Sequence, residues 1–396
     1  MRRQTRRNLI CILIALAICF AIFAAMCAAA GVAPGTYSYP SYLLQAQAWL
    51  RGSLALDRNY EYLELAVYNG SYYVSFPPVP TLPMLLGALI WGGDVPGGLF
   101  QKIYVTAACL VVLLTLLRQR RMRARECVAW AVFFCFGSAL LPIALTGGVW
   151  YEAQILAFLL SVSAVAAMQR KQPTLSCLLY ALSVGCRPFS ICLGPVLLML
   201  YLRSKRGADA RDRLPGIAPG LIVGLGVAAC YAVFNYARFG NIFEFGHNYL
   251  PEFTRAQYGQ FSLRYIASNW RTLFFGPPVS RVNGEFVLNQ FGFSMFLSCP
   301  ILLCNLVWAI DDLIHRRFGR EKLVILAMGA LNVLLLLMHR TLGGYQFGMR
   351  YALELVPLCF AYLLVSPNRR RLAGWEAAIM TLGLIFNFAG GCMVHV

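Results

Sequence analysis

Residues 1–30 read MRRQTRRNLICILIALAICFAIFAAMCAAA, a basic start followed by an apolar run over residues 8–30. A helix of about 20 apolar residues spans the hydrocarbon core of a bilayer, which is roughly 30 Å thick. The run exceeds the apolar core of a signal peptide, about 7–15 residues, so we expect a retained anchor rather than a cleaved leader. Similar runs recur to the end of the chain, which predicts an all-α polytopic membrane protein with a single integral membrane domain over residues 1–396.

The composition supports a membrane protein. Hydrophobic residues make up 59% of the 396 residues, and charged residues make up 13%. Soluble domains carry about 25% charged residues, so the chain is unlike a soluble enzyme, a disordered chain or a nucleic-acid-binding domain. The net charge of +18 comes from basic clusters between the apolar runs, which the positive-inside rule places in the cytoplasm. These clusters are Arg2–Arg7, Arg118–Arg125, Arg170/Lys171, Arg203–Arg213, Arg316–Lys322 and Arg369–Arg371.

The basic clusters and the apolar runs together predict about 11 spans, with a cytoplasmic N-terminus and an extracytoplasmic C-terminus. Residues 175–201 have Arg187-Pro188 in the middle and predict either a hairpin of two short helices or one long broken helix. No internal repeat is present, so the inverted-repeat pattern of transporters is absent. The predicted spans are 8–30, 99–117, 127–145, 154–168, the 175–201 region, 217–236, 293–310, 323–338, 351–365 and 375–393.

Cysteine and histidine do not indicate a metal centre. All 14 cysteines lie in or at the edges of apolar runs, where they are expected to pack as small apolar side chains. The histidines are scattered, and neither a P-loop nor an HExxH or GxSxG motif is present. We therefore predict no metal ligands, although carboxylates could recruit a divalent cation, Mg²⁺ or Mn²⁺. The four histidines are His247, His315, His339 and His395.

The first predicted extracytoplasmic loop, residues 31–98, has structure of its own. Residues 41–51 fit an amphipathic surface helix that Ser41 caps. Asn69-Gly70 lies between two short apolar strands and predicts a two-residue hairpin turn. The apolar piece 82–91 is too short to cross a bilayer and predicts a re-entrant or surface helix.

Polar side chains gather in three extracytoplasmic places, one of them a second loop at residues 237–289. A carboxylate can deprotonate an acceptor hydroxyl, and arginine can hold a phosphate through two hydrogen bonds as it leaves. This combination suits sugar transfer from a lipid phosphate. The residues are Asp57, Glu61 and Glu64 in the first loop, Arg238, Glu244 and His247 in the second, and Arg340, Arg350 and Glu354 further on.

Four segments in this order resemble the GT-C superfamily of membrane glycosyltransferases, in particular its bacterial mannosyltransferase and arabinosyltransferase branches. With the order of spans, the resemblance covers most of the chain. The segments are AQAWLRGSLAL at 46–56, ELAVYNGSYYVSFPPVP at 64–80, NYARFGNIFEFGHNY at 235–249 and GYQFGMRYALELVP at 344–357.

The resemblance implies a polyprenyl-phosphate-linked sugar as donor, a catalytic acid in the first loop and inversion at the anomeric carbon. By position Glu64 matches the acid, where the family usually has Asp, and Asp57 is the other candidate. The acceptor is a glycan, a lipid or a protein, and the active face is extracytoplasmic in the plasma membrane. The candidate substrate-binding residues are Arg350, Arg340, Arg187, Tyr345, Gln346, Tyr73, Glu244 and His247.

Other interpretations stay open from sequence alone. Arg187 could form an ion pair with Glu152 that packs helices, and Glu244 could pair with Arg238 to order the second loop. A flippase for lipid-linked sugars would need charged residues deep in several spans, and Arg187 is the clearest candidate. A noncatalytic envelope scaffold would tolerate the loss of every outer carboxylate.

Overall fold

The computed structural model describes residues 2–207, 210–368 and 371–395. The helices are α1 (Arg2–Ala29), α2 (Ser41–Leu50), α3 (Thr81–Trp91), α4 (Gly97–Gln119), α5 (Ala124–Phe136), α6 (Leu140–Ile143), α7 (Val149–Gln169), α8 (Pro173–Val184), α9 (Leu193–Ser204), α10 (Ala210–Phe239), α11 (Pro251–Thr254), α12 (Ile266–Phe275), α13 (Met295–Ser298), α14 (Ile301–Ile314), α15 (Arg320–Met338), α16 (Val356–Val365) and α17 (Gly374–His395). The strands are β1 (Leu65–Tyr68), β2 (Ser71–Val74), β3 (Val279–Val282) and β4 (Glu285–Leu288). Short 3₁₀ helices cover Pro188–Cys192, His247–Tyr249, Leu263–Tyr265 and Arg350–Leu355.

Six of the described helices are long and apolar enough to cross a membrane, namely α1, α4, α7, α10, α15 and α17. The chain is therefore a multi-pass, mostly helical membrane protein. The shorter helices α5, α8, α9, α14 and α16 fall on the other predicted spans. Helices this short do not by themselves span 30 Å, so the total of 11 spans stays a prediction.

Basic clusters from distant parts of the sequence share one end of the bundle, called here the basic end. Arg121 Nη1 donates to the carbonyl of Leu364 at 3.0 Å, and Arg203 Nη1 donates to that of Val365 at 3.3 Å. Arg206 also forms an ion pair with Glu321. This shared placement agrees with the positive-inside pattern. Of the last basic cluster, Arg369 and Arg370 lie outside the described residues.

The core lies around α7, which packs against α4, α8, α9 and α16. The sequence of α7 is rich in alanine and serine in its second half, so neighbouring helices can approach closely. Rings fill the core towards the basic end, with Trp130 5.3 Å from Trp308 and Phe134 5.6 Å from Phe360 between ring centroids. All 14 cysteines are free and 11 are buried, which confirms that they pack the interior.

The first loop folds over the opposite end of the bundle, called here the loop end. The predicted hairpin is confirmed: Leu65 pairs with Val74, and Asn69 and Gly70 both have positive φ, 48° and 75°. The predicted helix at residues 41–51 forms as α2. Its cap differs, because Pro40 precedes the helix and the Ser41 hydroxyl has no hydrogen-bond partner within the described residues. The amphipathic face of α2 packs on α3, which buries six of its ten residues.

The region of residues 175–201 is a hairpin of two short helices. Helix α8 starts beside the basic end of α7, where the Ser176 hydroxyl donates to the carbonyl of Ala164. Helix α9 returns to that end, as the Arg203 bond to Val365 shows. Arg187 therefore lies at the turn between them, at the loop end, where the carbonyl of Gly185 accepts from the Val79 N–H at 3.0 Å.

A buried ion pair joins α14 and α15 at the basic end. Asp312 accepts from the Lys322 ammonium at 2.6 Å and from the Tyr362 hydroxyl at 2.8 Å. Removing the carboxylate in Asp312→Ala leaves a buried lysine without its charged partner, which costs about 3–5 kcal/mol. We expect a clear fall in the thermal unfolding midpoint in nanodiscs. The neighbouring Asp311→Ala is the control, because Asp311 is partly exposed, and equal losses in both variants would contradict this account.

Candidate functional site

A cavity of about 190 Å³ opens at the loop end. Its walls come from distant segments: Phe76 after β2, Trp150 at the start of α7, Arg187 at the α8–α9 turn, His247 in the second loop and His339 after α15. This volume is more than enough for a small polar group such as a phosphate.

Arg187 at the cavity wall is held by a carboxylate. Its Nε donates to Glu354 Oε1 at 2.8 Å, and both side chains are largely buried, with 14% and 4% exposed. Gln154 Nε2 donates to the same oxygen at 3.3 Å. The predicted pairing of Arg187 with Glu152 is therefore wrong. Glu152 instead accepts from the Tyr37 hydroxyl at 2.6 Å, because it faces the first loop.

A second arginine lies behind the first. The guanidinium carbons of Arg187 and Arg350 are each 4.7 Å from the centroid of the Tyr351 ring, an arrangement that favours cation–π attraction. Arg350 is only 3% exposed, and its Nε and Nη1 have no hydrogen-bond partner within the described residues. The same holds for Nη1 of Arg340 in the described part of the chain. Buried donors of this kind are costly unless a ligand or water satisfies them.

This cluster has an excess of positive charge. Among the described residues, Glu354 forms an ion pair with Arg187 and also lies in the electric field of Arg350, and its own Oε2 lacks a hydrogen-bond partner. Two arginines against one carboxylate leave about one uncompensated positive charge in a region of low dielectric constant. An anion with several oxygen acceptors, such as a phosphate, would neutralise that charge and use the free N–H groups.

Carboxylates lie at the mouth of the cavity. Glu64 is exposed and accepts from the indole N–H of Trp150 at 2.9 Å, which ties it to a wall residue. Burial and the negative charge of Glu64 raise the pKa of Glu252, while Arg340 lowers it, so these three side chains share one electrostatic environment. No feature of the sequence predicted this position for Glu252.

Asp57 occupies a different position. Its carboxylate is exposed and accepts from the Tyr60 hydroxyl at 3.0 Å, and this bond lowers its pKa. In the described part of the chain it makes no hydrogen bond to a residue of the cavity wall. The structure thus brings Glu64, rather than Asp57, to the mouth of the cavity.

Glu244 lines the cavity but does not pair with Arg238. Its carboxylate accepts from the Gly246 N–H and from Asn248 Nδ2, both at 2.6 Å. Arg238 instead donates to the carbonyl of Val74 at 2.9 Å, which ties α10 to the hairpin of the first loop. The proposed Glu244–Arg238 pair is wrong, although each side chain does order a loop.

The other predicted substrate-binding residues lie further from the cavity. Tyr73 packs against Phe239, with 5.3 Å between ring centroids. Tyr345 is 47% exposed, and its carbonyl accepts from the Tyr151 hydroxyl. Gln346 is fully buried and accepts from the N–H of Arg350 at 3.0 Å, so it positions that arginine.

Two histidines of the cavity wall, the buried His339 and the partly buried His247, contribute hydrogen bonds. His247 Nδ1 is 2.9 Å from the carbonyl of Ser75, and His339 Nδ1 is 2.6 Å from that of Thr341. Burial lowers the pKa of both, that of His339 to about 4. The arginines and carboxylates therefore set the charge of the cavity.

The ligand set does not fit a protein-held divalent cation. In the described ranges, no three His, Cys, Asp or Glu side chains gather as metal ligands, and the two mouth carboxylates share their surroundings with Arg340. Mg²⁺ and Mn²⁺ favour several oxygen ligands without a competing cation. The divalent cation stays an untested expectation, and the reaction described below has no step through it.

Several residues of the site were not singled out from the sequence. Glu354 was noted among the outer polar residues but not as the partner of Arg187, although an acid inside an apolar run needs a partner. Trp150, His339 and Glu252 had none, since only the packing of distant loops brings them to the cavity.

A solved structure shares this architecture. The Archaeoglobus fulgidus oligosaccharyltransferase in its apo form matches 94% of this chain and 56% of its own, with a TM-score of 0.52 and 13% identity. The chain has a GT-C-like fold. ArnT from Cupriavidus metallidurans bound to undecaprenyl phosphate matches 94% of this chain and 62% of its own, at a TM-score of 0.49 and 13% identity.

A third structure, the oligosaccharyltransferase AglB from Archaeoglobus fulgidus in complex with an inhibitory peptide and a dolichol-phosphate, matches 94% of this chain at a TM-score of 0.45 and 11% identity. The chain spans 56 to 62% of the length of these three proteins. No protein-family model and no curated protein sequence matches it.

The pKa of His339 makes stability depend on pH. The folded state keeps the imidazole neutral down to pH about 4, whereas the unfolded chain binds a proton near pH 6.5. The free energy of unfolding should therefore fall by about 3 kcal/mol as the pH drops from about 6.5 to about 4. Thermal unfolding in nanodiscs should show a smaller pH dependence for His339→Gln than for the wild type. An unchanged pH profile in His339→Gln would contradict the assignment.

Proposed function

We propose that the protein is a membrane glycosyltransferase that moves a sugar from a polyprenyl-phosphate donor to an extracytoplasmic acceptor hydroxyl. The observation that carries this proposal is the buried Arg350, whose Nε and Nη1 have no partner among the described residues. It lies beside the ion-paired Arg187, and Glu64 is bonded to Trp150 of the cavity wall. The fold shared with an oligosaccharyltransferase supports it. In this proposal the N-terminus is cytoplasmic and the active face is on the outer side of the plasma membrane.

The arrangement suits one displacement step. The donor phosphate lies against the guanidinium groups of Arg350 and Arg187, with Arg340 nearer the mouth. Glu64 takes the proton of the acceptor hydroxyl as its oxygen bonds to the anomeric carbon. The bond from that carbon to the phosphate oxygen breaks, and the polyprenyl phosphate leaves with its new negative charge stabilised by arginine. A single displacement of this kind inverts the configuration.

Glu64 is the preferred base because its position is fixed. The Trp150 indole holds one carboxylate oxygen at 2.9 Å and leaves the other available to an acceptor. A general base needs this orientation more than it needs an unusual pKa, because misplacement of about 1 Å can cost a hundredfold in rate. Asp57 stays the second candidate, in a more exposed part of the loop.

Removal of the base should stop transfer without unfolding the protein. We expect Glu64→Gln to lower the transfer rate by about 10²–10⁴-fold, since the amide keeps the Trp150 bond but cannot accept a proton. Lipid mass spectrometry of cells should show one polyprenyl-phosphate sugar that accumulates on deletion, and its mass gives a hexosyl or pentosyl donor. Wild-type protein should clear that lipid, whereas Glu64→Gln should not.

The control for this experiment is Glu61→Gln, an exposed acid of the same loop, which should behave as wild type. The proposal fails if Glu64→Gln and Asp57→Asn each leave transfer at the wild-type rate. If the deletion changes no such lipid, transport of lipid-linked sugars or a scaffolding role becomes the better account.

Arg350 should be needed for the departure of the phosphate. Arg350→Gln removes the charge that the leaving group requires, so we expect kcat to fall by about 10²–10³-fold. The measurement is transfer by purified protein in nanodiscs, with the donor that accumulates in deletion cells. Arg255→Gln, at an exposed site in the second loop, should keep full activity, and full activity of Arg350→Gln would rule out this role.

A further inference from the structure

A second and larger cavity lies beside the first and is not used in the reaction described above. This outer cleft has a volume of about 710 Å³ and is formed by α12, the base of the β3–β4 hairpin and the turn after His339. Its size falls in the range of about 300–1,000 Å³ that is usual for small-molecule sites. The residues that line it are Asn269, Thr272, Gly276, Pro277, residues 287–292 and residues 341–343.

The lining combines apolar side chains with polar side chains that carry no charge. Among the residues of the cleft, the polar side chains are amides and hydroxyls, and none is Asp, Glu, Lys, Arg or His. Such groups match the hydroxyls of a neutral sugar, which both donate and accept hydrogen bonds. They offer nothing to neutralise an acidic or basic ligand.

Two asparagines are fixed so that their amide oxygens stay available. Asn269 Nδ2 donates to the carbonyls of Leu337 and His339, at 3.0 and 2.8 Å. Asn289 Nδ2 donates to the carbonyl of Pro277 and the hydroxyl of Ser280, at 2.7 and 2.9 Å. Both N–H groups of each side-chain amide are thus bonded within the protein. The amide oxygen is held in a fixed orientation, in which it can accept a hydrogen bond from a ligand hydroxyl.

An aromatic ring completes the cleft. Phe291 is 71% exposed although it belongs to a lining segment, so the fold does not use its ring as core. An exposed ring next to fixed amides provides a face on which the C–H side of a sugar ring can pack.

The cleft and the inner cavity share a thin wall. His339 lines the inner cavity, while Thr341, two residues later, lines the cleft. Gln346 forms a second link between the cleft and the arginine cluster. Its backbone N–H donates to the carbonyl of Gln290, a cleft residue, at 2.7 Å, and its side-chain oxygen accepts from the backbone N–H of Arg350. The wall also contains Gly343, whose backbone has a φ of +112°. A Cβ at this position would lie 2.5 Å from Gln346 Nε2, so glycine lets the backbone lie next to the Gln346 side chain.

We infer that the outer cleft binds a neutral oligosaccharide, as the acceptor glycan of the transfer reaction. This inference rests on the proposed function for the role of the ligand, but the binding itself needs no donor. It narrows the acceptor from a glycan, a lipid or a protein to an uncharged carbohydrate.

The test is direct binding to the full chain in nanodiscs. The probes are neutral trisaccharides of glucose, mannose and galactose, observed by saturation-transfer NMR. At least one should bind to the wild type, and Phe291→Ala and Gln290→Ala should each weaken that binding by roughly tenfold, as expected when an anchor side chain is removed. Phe286→Ala is the matched control, because this ring is 82% exposed on β4 and is not part of the cleft lining.

The outcomes separate this inference from the proposed function. Arg350→Gln should bind the trisaccharide as well as the wild type, even though its transfer rate is lowered. Lack of binding by all three trisaccharides, or equal binding in wild type and Phe291→Ala, would overturn the inference. Stronger binding of a neutral tripeptide than of any trisaccharide would also overturn it, in favour of a protein acceptor.

Discussion

The ion pair between Arg187 and Glu354 is the interaction on which the site depends. The two residues are 167 positions apart, and their contact joins the α8–α9 turn to the segment that leads into α16. An isolated buried charge is so costly that neither side chain would stay in this place without the other. The bond therefore fixes the floor of the cavity and also the Tyr351 ring, over which both arginines lie.

The pair also explains why the positive charge of Arg350 is not fully compensated. Glu354 is already engaged by Arg187 and Gln154, so it cannot fully compensate a second guanidinium. Tyr351 offsets part of the cost through its ring face, but a ring accepts no strong hydrogen bond from Nε or Nη1. The fold keeps this unsatisfied charge because Gln346 holds the backbone of Arg350 in place. In the proposed reaction this uncompensated charge binds the donor phosphate.

The sequence predicted the features that depend on local chemistry. The Asn69-Gly70 turn, the apolar helices and the break at Arg187-Pro188 follow from backbone preference and residue spacing. The partner of Arg187 could not be predicted in this way, because two acids, Glu152 and Glu354, both satisfy the rule that a buried arginine needs a carboxylate. The orientation of α7 in the bundle decides between them. It places Glu152 next to Tyr37 and Gln154 next to Glu354.

The division between the two cavities has a physical reason. In the proposed reaction, the charged cavity of about 190 Å³ holds the donor phosphate, because a low dielectric constant strengthens the attraction of its arginines. A bulky neutral acceptor in the same cavity would weaken that attraction by admitting water. A separate neutral cleft avoids this conflict, since it can hold most of an acceptor in a wetter place. Only one hydroxyl then has to cross the wall after His339 to reach the anomeric carbon. Selectivity for the acceptor and stabilisation of the leaving group can thus be changed independently, by residues that lie on opposite sides of the same short segment.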